Sequence, residues 1–363
     1  MDDHTGTKPV SAQHGFEIAA LQRHLAQHLE DFAGPLTVEQ FKGGQSNPTY
    51  KLMTPSRSYV MRSKPGPIAK LLPSAHAVER EFAVMRALAG SDVPVARMHL
   101  LCEDESVIGR AFYIMEFVQG RVLWNQALPD MSTVERGAVY DEMNRVMAAL
   151  HKVDVEACGL LGFGKPGNYF ERQIGRWTRQ YQASITEPIE AMDRLIEWLP
   201  QHIPQTARDA SQASIVHGDY RLDNLIFHPT EPRILAVLDW ELSTVGHPLA
   251  DFSYHCMSWH IPPGTFRGIG GLDLAALGIP GEREYVKRYC ERTGRDGVGQ
   301  DADAVMADWG FYMAYNLFRM AGILQGIAKR VVDGTAASEQ ARQAGAGARP
   351  LAEIGWAFAQ RFH

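Results

Sequence analysis

Short β-rich segments and two helical patterns alternate in the first third of the chain. Strands are predicted where apolar, β-branched and aromatic residues recur between turn residues, over residues 36–41, 50–52, 59–65, 94–102 and 111–115. Apolar residues at helical spacing predict helices over 16–32 and 75–88. Residues 1–14 are polar, and no regular structure is predicted for them.

Helical spacing dominates the rest of the chain. It predicts helices over residues 131–151, 171–181, 187–200, 303–332 and 351–361. The exception is a β-hairpin, in which strands 225–227 and 234–238 flank the turn residues 228–232. Residues 333–350 are rich in Ala, Gly and Gln and are predicted to be weakly structured.

Composition indicates a globular protein. The chain has 363 residues, enough for two lobes, and 45% of them are hydrophobic and 21% charged. The net charge of −6 gives no broad basic field, so nucleic acid is not an expected partner. Oligomeric state stays open.

The distribution of cysteines and the hydropathy of the chain allow a prediction of its cellular compartment. The four cysteines are scattered, which argues against a disulfide framework or a zinc site and fits a reducing cytoplasm. The N-terminus has neither the basic start nor the apolar core of a signal peptide. No apolar run approaches about 18 residues, so we expect a cytoplasmic protein without a membrane span.

The residues with the clearest potential for catalysis flank this hairpin. Asp219 and Asn224 come just before its first strand and Asp239 comes just after its second, so three oxygen-bearing side chains meet at one end of a small sheet. Mg²⁺ prefers oxygen ligands and usually takes one or two from protein, while substrate phosphates supply others. Asn224 and Asp239 suit that role. Asp219 is then a carboxylate that can accept a proton from an attacking hydroxyl.

These residues resemble the catalytic loop of protein kinases, in the form found in aminoglycoside phosphotransferases and choline kinases. His217-Gly218-Asp219 is followed by Asn224, five positions after the Asp. Asp239-Trp240-Glu241 begins twenty positions after Asp219, where kinases place a metal-binding Asp. The resemblance implies that Asp219 accepts or orients the proton of the acceptor hydroxyl, and that Asn224 and Asp239 hold Mg²⁺.

A Gly-rich turn between the first two predicted strands is the second candidate element. Gly43 and Gly44 let the backbone approach a ligand, and N–H groups there can cradle phosphate, although a Gly pair in a hairpin is usually only a turn. The string 43–50, Gly-Gly-Gln-Ser-Asn-Pro-Thr-Tyr, resembles the nucleotide loop of one phosphotransferase subfamily. That resemblance implies that Ser46 and Asn47 also contribute to the ATP site.

The strand over 59–65 carries two cations. Kinases place here a Lys that holds phosphates and pairs with a Glu on the next helix. The register of this chain puts Arg62 in that place, nineteen residues before Glu81. The side chain of Lys64 is expected on the same face of the strand as that of Arg62, because the two are two positions apart. Which of the two cations holds the phosphates therefore stays open. Glu81 is the favoured ion-pair partner, and a solvated helix charge is the alternative.

The resemblance covers residues of about 35–330. Its most specific strings, Arg62 to Pro65 and Ala75 to Glu81, resemble the kinase-like domain fused to some acyl-CoA dehydrogenases. Residues 115–120 look like a kinase gatekeeper and hinge, which implies that backbone groups of Glu116 and Val118 meet adenine.

The resemblance also implies the fold class, which is α+β and protein-kinase-like. A tail and helix over 1–34 would precede a nucleotide-binding N-lobe with an antiparallel sheet over 35–119 and a mostly helical, catalytic C-lobe over 120–363. In this bilobal fold, ATP would lie between the lobes with Mg²⁺.

Several charged residues are assigned to the acceptor. Arg172, Arg176 and Arg179 lie four and three positions apart, on one face of a predicted helix. A solvated basic face is as good an explanation as recognition of a carboxylate, phosphate or CoA-like group. Arg221 and Glu241, beside the motifs, are also assigned to the acceptor.

Three residues outside these motifs have expected roles. Asp251 is expected to anchor the catalytic-loop backbone, as in the relatives, and helix N-capping is the alternative. Arg319, within an apolar helix, is a buried counter-ion or a substrate contact. His151 is expected to be a structural histidine.

We therefore expect an ATP-dependent phosphotransferase acting on a small hydroxylated acceptor, such as a hydroxy acid or hydroxyacyl thioester. One alternative is a kinase for an aminoglycoside, choline or homoserine, although the arginine row argues against a polycation. The other is a nucleotide-binding module without transfer activity. The presence of Asp219, Asn224 and Asp239 argues against that module, whereas the absence of a Lys at position 62 argues for it.

Overall fold

The structure is a computed structural model that describes residues 6–11, 14–42, 47–65, 77–165, 167–264, 267–294, 302–335 and 339–362. The chain divides into two units. The first comprises Met1–Arg121, Ile226–Pro229 and Leu235–Ser243. The second comprises Val122–Leu225, Thr230–Ile234 and Thr244–His363.

A six-stranded antiparallel sheet forms the centre of the first unit. Its strands are β1 (Thr7–Lys8), β2 (Thr37–Phe41), β3 (Thr49–Met53), β4 (Ser58–Ser63), β5 (Met98–Cys102) and β6 (Phe112–Glu116). Their spatial order is β1-β2-β3-β4-β6-β5, and every paired neighbour is antiparallel.

Helix α1 (Ile18–His28) covers one face of this sheet. Its buried Leu21 and Leu25 share an apolar cluster with Tyr59 and Met61 of β4. Because side chains alternate along a strand, this packing leaves Arg62 on the opposite face. Helix α2 (Val78–Leu88) contacts β5 and β6.

Strand β1 corrects the expectation that residues 1–14 lack regular structure. Thr7 and Lys8 pair with Phe41 and Gln40 of β2. The Thr7 hydroxyl donates a hydrogen bond to Glu39 over 2.5 Å. Main-chain pairing and a polar contact hold this strand, so its sequence has no apolar pattern from which it could be predicted.

Two small sheets follow. β7 (Arg121–Val122), β9 (Leu225–Phe227) and β10 (Ile234–Val237) have the order β10-β9-β7, so the predicted hairpin is present as β9 and β10. β8 (Ser214–Val216) pairs with β11 (Thr244–Gly246) in antiparallel fashion.

Helices make up most of the second unit. They are α3 (Thr133–Lys152), α4 (Tyr169–Gln182), α5 (Glu190–Trp198), α6 (Pro248–Cys256), α7 (Leu274–Leu277), α8 (Glu282–Thr293), α9 (Ala302–Ala307), α10 (Trp309–Val332), α11 (Glu339–Ala346) and α12 (Ala348–Arg361). Helix α10 is buried along most of its length and contacts α4, α6, α11 and α12. Of the helices described, none combines the length and apolarity needed to cross a membrane.

Two helical predictions were wrong in detail. The predicted helix over 303–332 is two helices that meet at Asp308. Residues 333–350 were expected to be weakly structured, yet α11 and the first turn of α12 occupy much of this stretch. Small residues explain this, because a Cβ added to Gly345 would lie 2.9 Å from Ala328 of α10. Close helix approach, rather than an apolar stripe, stabilises α11.

Candidate active site

The predicted site residues fall into two groups, one in each unit. The acidic cluster, in the first unit, consists of Arg62, Glu81, Asp239 and Glu241. The Asp219 loop, residues 217–224, belongs to the second unit. Each group is built by different elements.

One guanidinium holds three carboxylates in the acidic cluster. Arg62 Nε lies 3.0 Å from Glu81 Oε2, and its Nη2 lies 2.8 Å from Asp239 Oδ1 and 3.5 Å from Glu241 Oε2. Burial alone would lower the pKa of Arg62, but the neighbouring carboxylates, Glu81 foremost, raise it. The cation is therefore permanent, and the four side chains together carry excess negative charge whenever the carboxylates are ionised.

Glu81 is the most enclosed member of the cluster. Its side chain is 1% exposed, and burial raises its pKa while Arg62 opposes that rise. Glu81 also accepts hydrogen bonds from Asn47 Nδ2 over 2.8 Å and from the Tyr113 hydroxyl over 3.1 Å. The predicted partnership of Arg62 with Glu81 is thus present, and Asn47 is attached to it. Gly43, Gly44 and Ser46 lie outside the described residues.

A left-handed backbone turn presents Asp239 to the cluster. Its φ of +63° is uncommon for a residue other than Gly, although the short side chain of Asp tolerates it. The turn follows β10 and continues as a short 3₁₀ segment, Trp240–Leu242. The buried indole of Trp240 donates to the Val237 carbonyl over 2.9 Å and holds this turn in place.

Lys64 has a separate partner. Its ammonium pairs with Glu79, and the two side chains are 30% and 28% exposed. The side chain of Arg62, in contrast, is only 11% exposed. The two cations of this strand therefore occupy different environments.

The hinge-like segment follows β6. The N–H of Glu116 donates to the Arg97 carbonyl over 2.9 Å, and the side chain of Val118 is half-buried. A cavity of about 680 Å³ lies beside this segment and is lined by Lys51, Arg57, Ser58, Arg97, His99, Glu116, Phe117 and Gln119. Gly120 ends the segment where a Cβ would lie 2.3 Å from the Phe227 carbonyl oxygen, so the close chain approach requires Gly.

The backbone of the Asp219 loop is fixed by a buried carboxylate. Asp251 accepts hydrogen bonds from the N–H groups of His217, over 2.6 Å, and Gly218, over 2.8 Å. Burial would raise the pKa of Asp251, but His151 and His217 hold it below its ordinary value. Gly218 has a φ of +82°, a conformation that favours Gly. The expected anchoring role of Asp251 is confirmed, and His151, 3.3 Å from Asp251 Oδ2, is a structural histidine.

Three side chains hold the carboxylate of Asp219. The Tyr254 hydroxyl donates to Oδ1 over 2.5 Å. Asn224 Nδ2 donates to Oδ2 over 3.0 Å, and Arg221 Nη2 lies 3.2 Å from the same oxygen. Asp219 is thereby held in one orientation by cationic and donor groups.

A second carboxylate organises the arginines beside Asp219. Asp223 is buried, with Arg267 Nη2 2.7 Å from its Oδ2 and Arg221 Nε 3.6 Å from its Oδ1. The two arginine side chains remain 23% and 27% exposed. Arg267 has no counterpart among the sequence predictions.

The arginines of α4 have local contacts. Arg172 donates to the carbonyl oxygens of Gly167 and Lys165, so it attaches the preceding loop to its own helix. The Arg176 guanidinium lies 5.4 Å from the centre of the Trp177 ring. Both arginines and Arg179 are exposed, and their assignment to the acceptor stays a prediction.

Sequence reasoning missed Tyr254 and left Arg319 undecided. Arg319 Nη2 donates to the Gly218 carbonyl over 2.6 Å, and its guanidinium lies 5.0 Å from the Tyr254 ring centre and 5.6 Å from that of Trp177. Both residues come from helices that pack on the loop. The available signal was the spacing of Tyr254, one helical turn after Asp251.

Each unit, taken by itself, carries an oxygen donor of the kind that Mg²⁺ binds. In the part of the chain that the structure describes, no three His, Cys, Asp or Glu side chains converge to hold a metal by themselves. Mg²⁺ usually takes few protein ligands. Asn224 turns its Nδ2 toward Asp219, which leaves its Oδ1 for a metal, and Asp239 brings a half-exposed carboxylate. The oxygen of each residue, considered in its own unit, has the donor chemistry that the cation takes.

Comparisons with known proteins agree with this geometry. The family model described as "Phosphotransferase enzyme family" matches residues 37–290. Over 358 residues the chain is 44% identical to acyl-CoA dehydrogenase family member 10 of Mus musculus, an alignment that covers 98% of this chain and 32% of that protein. The chain thus spans about a third of the length of that curated relative.

Solved structures show the same architecture. A crystal structure from Ralstonia eutropha JMP134, provisionally named as an aminoglycoside phosphotransferase, is 64% identical, with a TM-score of 0.86 and coverage of 96% of this chain and 100% of that one. Choline kinase from Cryptosporidium parvum Iowa II is 11% identical, with a TM-score of 0.63 and 95% coverage of both chains. The predicted α+β, kinase-like fold is confirmed.

Proposed function

The chain belongs to the phosphotransferase enzyme family, and from this premise we propose that it moves the terminal phosphoryl group of Mg-ATP to a hydroxyl group of a small molecule. The orientation of Asp219 carries the proposal. Its carboxylate is held by three donors, on a loop whose backbone N–H groups are fixed by Asp251. Such an anchored carboxylate is suited to accept a proton from an attacking hydroxyl.

The remaining roles follow from the two groups of residues. We assign Asn224 and Asp239 to Mg²⁺, which, when bound, neutralises charge on the phosphates. Arg62 is favoured over Lys64 for phosphate binding, because its guanidinium lies 2.8 Å from Asp239, which is assigned to Mg²⁺, whereas Lys64 pairs with Glu79. Backbone groups at Glu116 and Val118 are assigned to adenine.

The transfer itself needs little covalent chemistry from the protein. The acceptor oxygen bonds to the terminal phosphorus while the bond from that phosphorus to the bridging oxygen breaks, and ADP leaves. The proton of the acceptor hydroxyl passes to Asp219. Most of the rate enhancement in such reactions comes from positioning and charge neutralisation.

We propose a hydroxy acid or hydroxyacyl thioester as the acceptor. The similarity to a segment of an acyl-CoA dehydrogenase family member supports an acyl substrate. The partly exposed Arg221 and Arg267, close to Asp219 in the same unit, suit an anionic group.

An aminoglycoside is the second candidate, because the structure that is 64% identical carries that provisional name. One experiment separates the two. ADP release would be measured with Mg-ATP and four acceptor classes, namely hydroxy acids, their thioesters, amino alcohols and aminoglycosides, with Asp219→Asn as the blank. We expect turnover with the first two classes. Turnover with aminoglycosides alone would favour the second candidate, and inactivity toward all acceptors together with no Mg-nucleotide binding would remove the kinase function.

A further inference from the structure

Helix α6 meets the Asp219 loop with two side chains one turn apart. Asp251 fixes the backbone N–H groups of His217 and Gly218. Tyr254, three residues later, reaches the carboxylate of Asp219 over 2.5 Å. Residues three apart share one helix face, so a single helix sets both the backbone and the side chain of this aspartate.

The two oxygens of the Asp219 carboxylate are used differently. Oδ2 accepts a hydrogen bond from Asn224 over 3.0 Å and forms an ion pair with Arg221 at 3.2 Å, so two side chains lie against this oxygen. Oδ1 receives the Tyr254 hydroxyl and, among the described residues, no second donor. The oxygen with a remaining acceptor site is therefore the one that Tyr254 holds.

Tyr254 can act on Asp219 only as a donor. Burial, followed by the adjacent Asp219 carboxylate, raises the pKa of Tyr254 well above its ordinary value, so the phenol keeps its proton. Arg319 supports this arrangement from α10. Its guanidinium lies over the Tyr254 ring and donates to the Gly218 carbonyl.

We propose that Tyr254 is a positioning residue for phosphoryl transfer, holding Asp219 so that Oδ1 receives the proton of the acceptor hydroxyl, with Arg319 supporting both Tyr254 and the loop. The inference rests on the function proposed above for Asp219. In the transfer step the acceptor O–H bond breaks and its proton goes to Oδ1. Tyr254 neither gains nor loses a proton.

Tyr254→Phe tests the role with a single oxygen removed. We expect kcat to fall by about 10- to 100-fold, because small misplacements of a reacting group cost rates of that order. The KM for ATP should stay unchanged, because Asp219 is assigned to the acceptor. Tyr285→Phe is the matched control, since it removes a buried hydroxyl that is bonded to His255 over 2.9 Å rather than to Asp219. The control should keep wild-type kcat.

A double-mutant cycle asks whether Tyr254 acts through Asp219. In the Asp219→Asn background, Tyr254→Phe should cause little further loss of kcat, because the carboxylate on which it acts is already gone. If Tyr254 had only a structural role, the fold-losses in kcat of the two single variants would instead multiply in the double variant. Arg319→Lys should retain more activity than Arg319→Met, since it keeps the cation beneath the loop.

The outcomes separate this inference from the proposed function. If the wild type transfers phosphate and Tyr254→Phe keeps its kcat, or if the two losses multiply, the positioning role is overturned while the proposed function stands. If the wild type transfers phosphate to no acceptor, the proposed function fails and this inference fails with it. Thermal midpoints of the four proteins of the cycle show whether each variant is folded.

Discussion

The guanidinium of Arg62 lies 2.8 Å from the carboxylate of Asp239, although the two residues are 177 positions apart in the chain. The same guanidinium also contacts Glu81 and Glu241. A cation that balances three carboxylates cannot be removed without leaving buried charge uncompensated. We therefore expect Arg62 to contribute to stability and, under the function proposed above, to Mg-ATP binding.

Arg62→Met should lower the free energy of unfolding by about 3–5 kcal/mol, the usual cost of breaking a buried ion pair by deleting one partner. It should also weaken Mg-ATP binding. Chemical denaturation and calorimetry with Mg-ATP measure the two effects.

Lys64→Met is the matched control, because it removes a cation from the same strand. Its pair with Glu79 is partly exposed, so we expect a loss below about 1 kcal/mol. Mg-ATP affinity should be retained. The opposite result, in which Lys64→Met abolishes nucleotide binding and Arg62→Met preserves it, would transfer the phosphate-binding role to Lys64.

Asp219→Asn should lower kcat by about 10²–10⁴-fold, the range attributed to a general base. Mg-ATP binding should persist, because Asp219 is assigned to the acceptor. Calorimetry and ADP release measure the two effects, and Asp92→Asn, an exposed aspartate of the first unit, provides the charge-matched control. Wild-type turnover by Asp219→Asn would show that another group accepts the proton.

Gly218→Ala tests the backbone of the Asp219 loop. The φ of +82° disfavours a Cβ, so we expect a loss of about 1–2 kcal/mol in the free energy of unfolding and a fall in kcat as the loop shifts. Gly90→Ala is the control, since its φ is +85° and a Cβ there meets nothing within 4 Å. Both variants should lose similar stability in urea denaturation, and only Gly218→Ala should lose activity. Equal activities would mean that the loop tolerates the change.

Sequence patterns predicted those contacts among the candidate site residues that depend on local spacing. The strand register and the helix after it identified Arg62 and Glu81 as partners, and the structure joins them at 3.0 Å. The hairpin and its flanking residues predicted that Asp239 follows the second strand, and the structure places its carboxylate 2.8 Å from Arg62. Periodicity and motif spacing are sufficient wherever one strand, one helix or one turn carries the residues.

Periodicity and spacing alone did not predict most contacts that depend on packing between distant elements, and the anchoring by Asp251 was expected only from the family resemblance. Tyr254 meets Asp219 only because α6 lies against the loop, and no helix was predicted over residues 248–256. Arg319 was noticed as a charge in an apolar pattern, yet its partner, the Gly218 carbonyl, is 101 positions away. Arg267 pairs with Asp223 from a Gly- and Pro-rich stretch without periodicity.

The pH dependence of stability should reveal His255. Burial lowers the pKa of His255 to about 4, from an ordinary value of 6.5, so above pH 6.5 the histidine is neutral in both folded and unfolded chains. As pH falls from 6.5 to 4, His255 binds a proton in the unfolded chain but not in the folded chain. Stability is therefore lost across this window, by about 3 kcal/mol for a shift of this size.

His255→Gln should remove that pH dependence, because glutamine can still bond the Tyr285 hydroxyl but does not titrate. Urea denaturation gives the free energy of unfolding of the wild type minus that of the variant. This value should be constant above pH 6.5 and about 3 kcal/mol lower at pH 4, because only the wild type loses stability. A difference that does not change with pH in His255→Gln would mean that His255 takes up its proton in the folded chain as readily as in the unfolded one, which its burial beside Tyr285 and Trp259 makes costly.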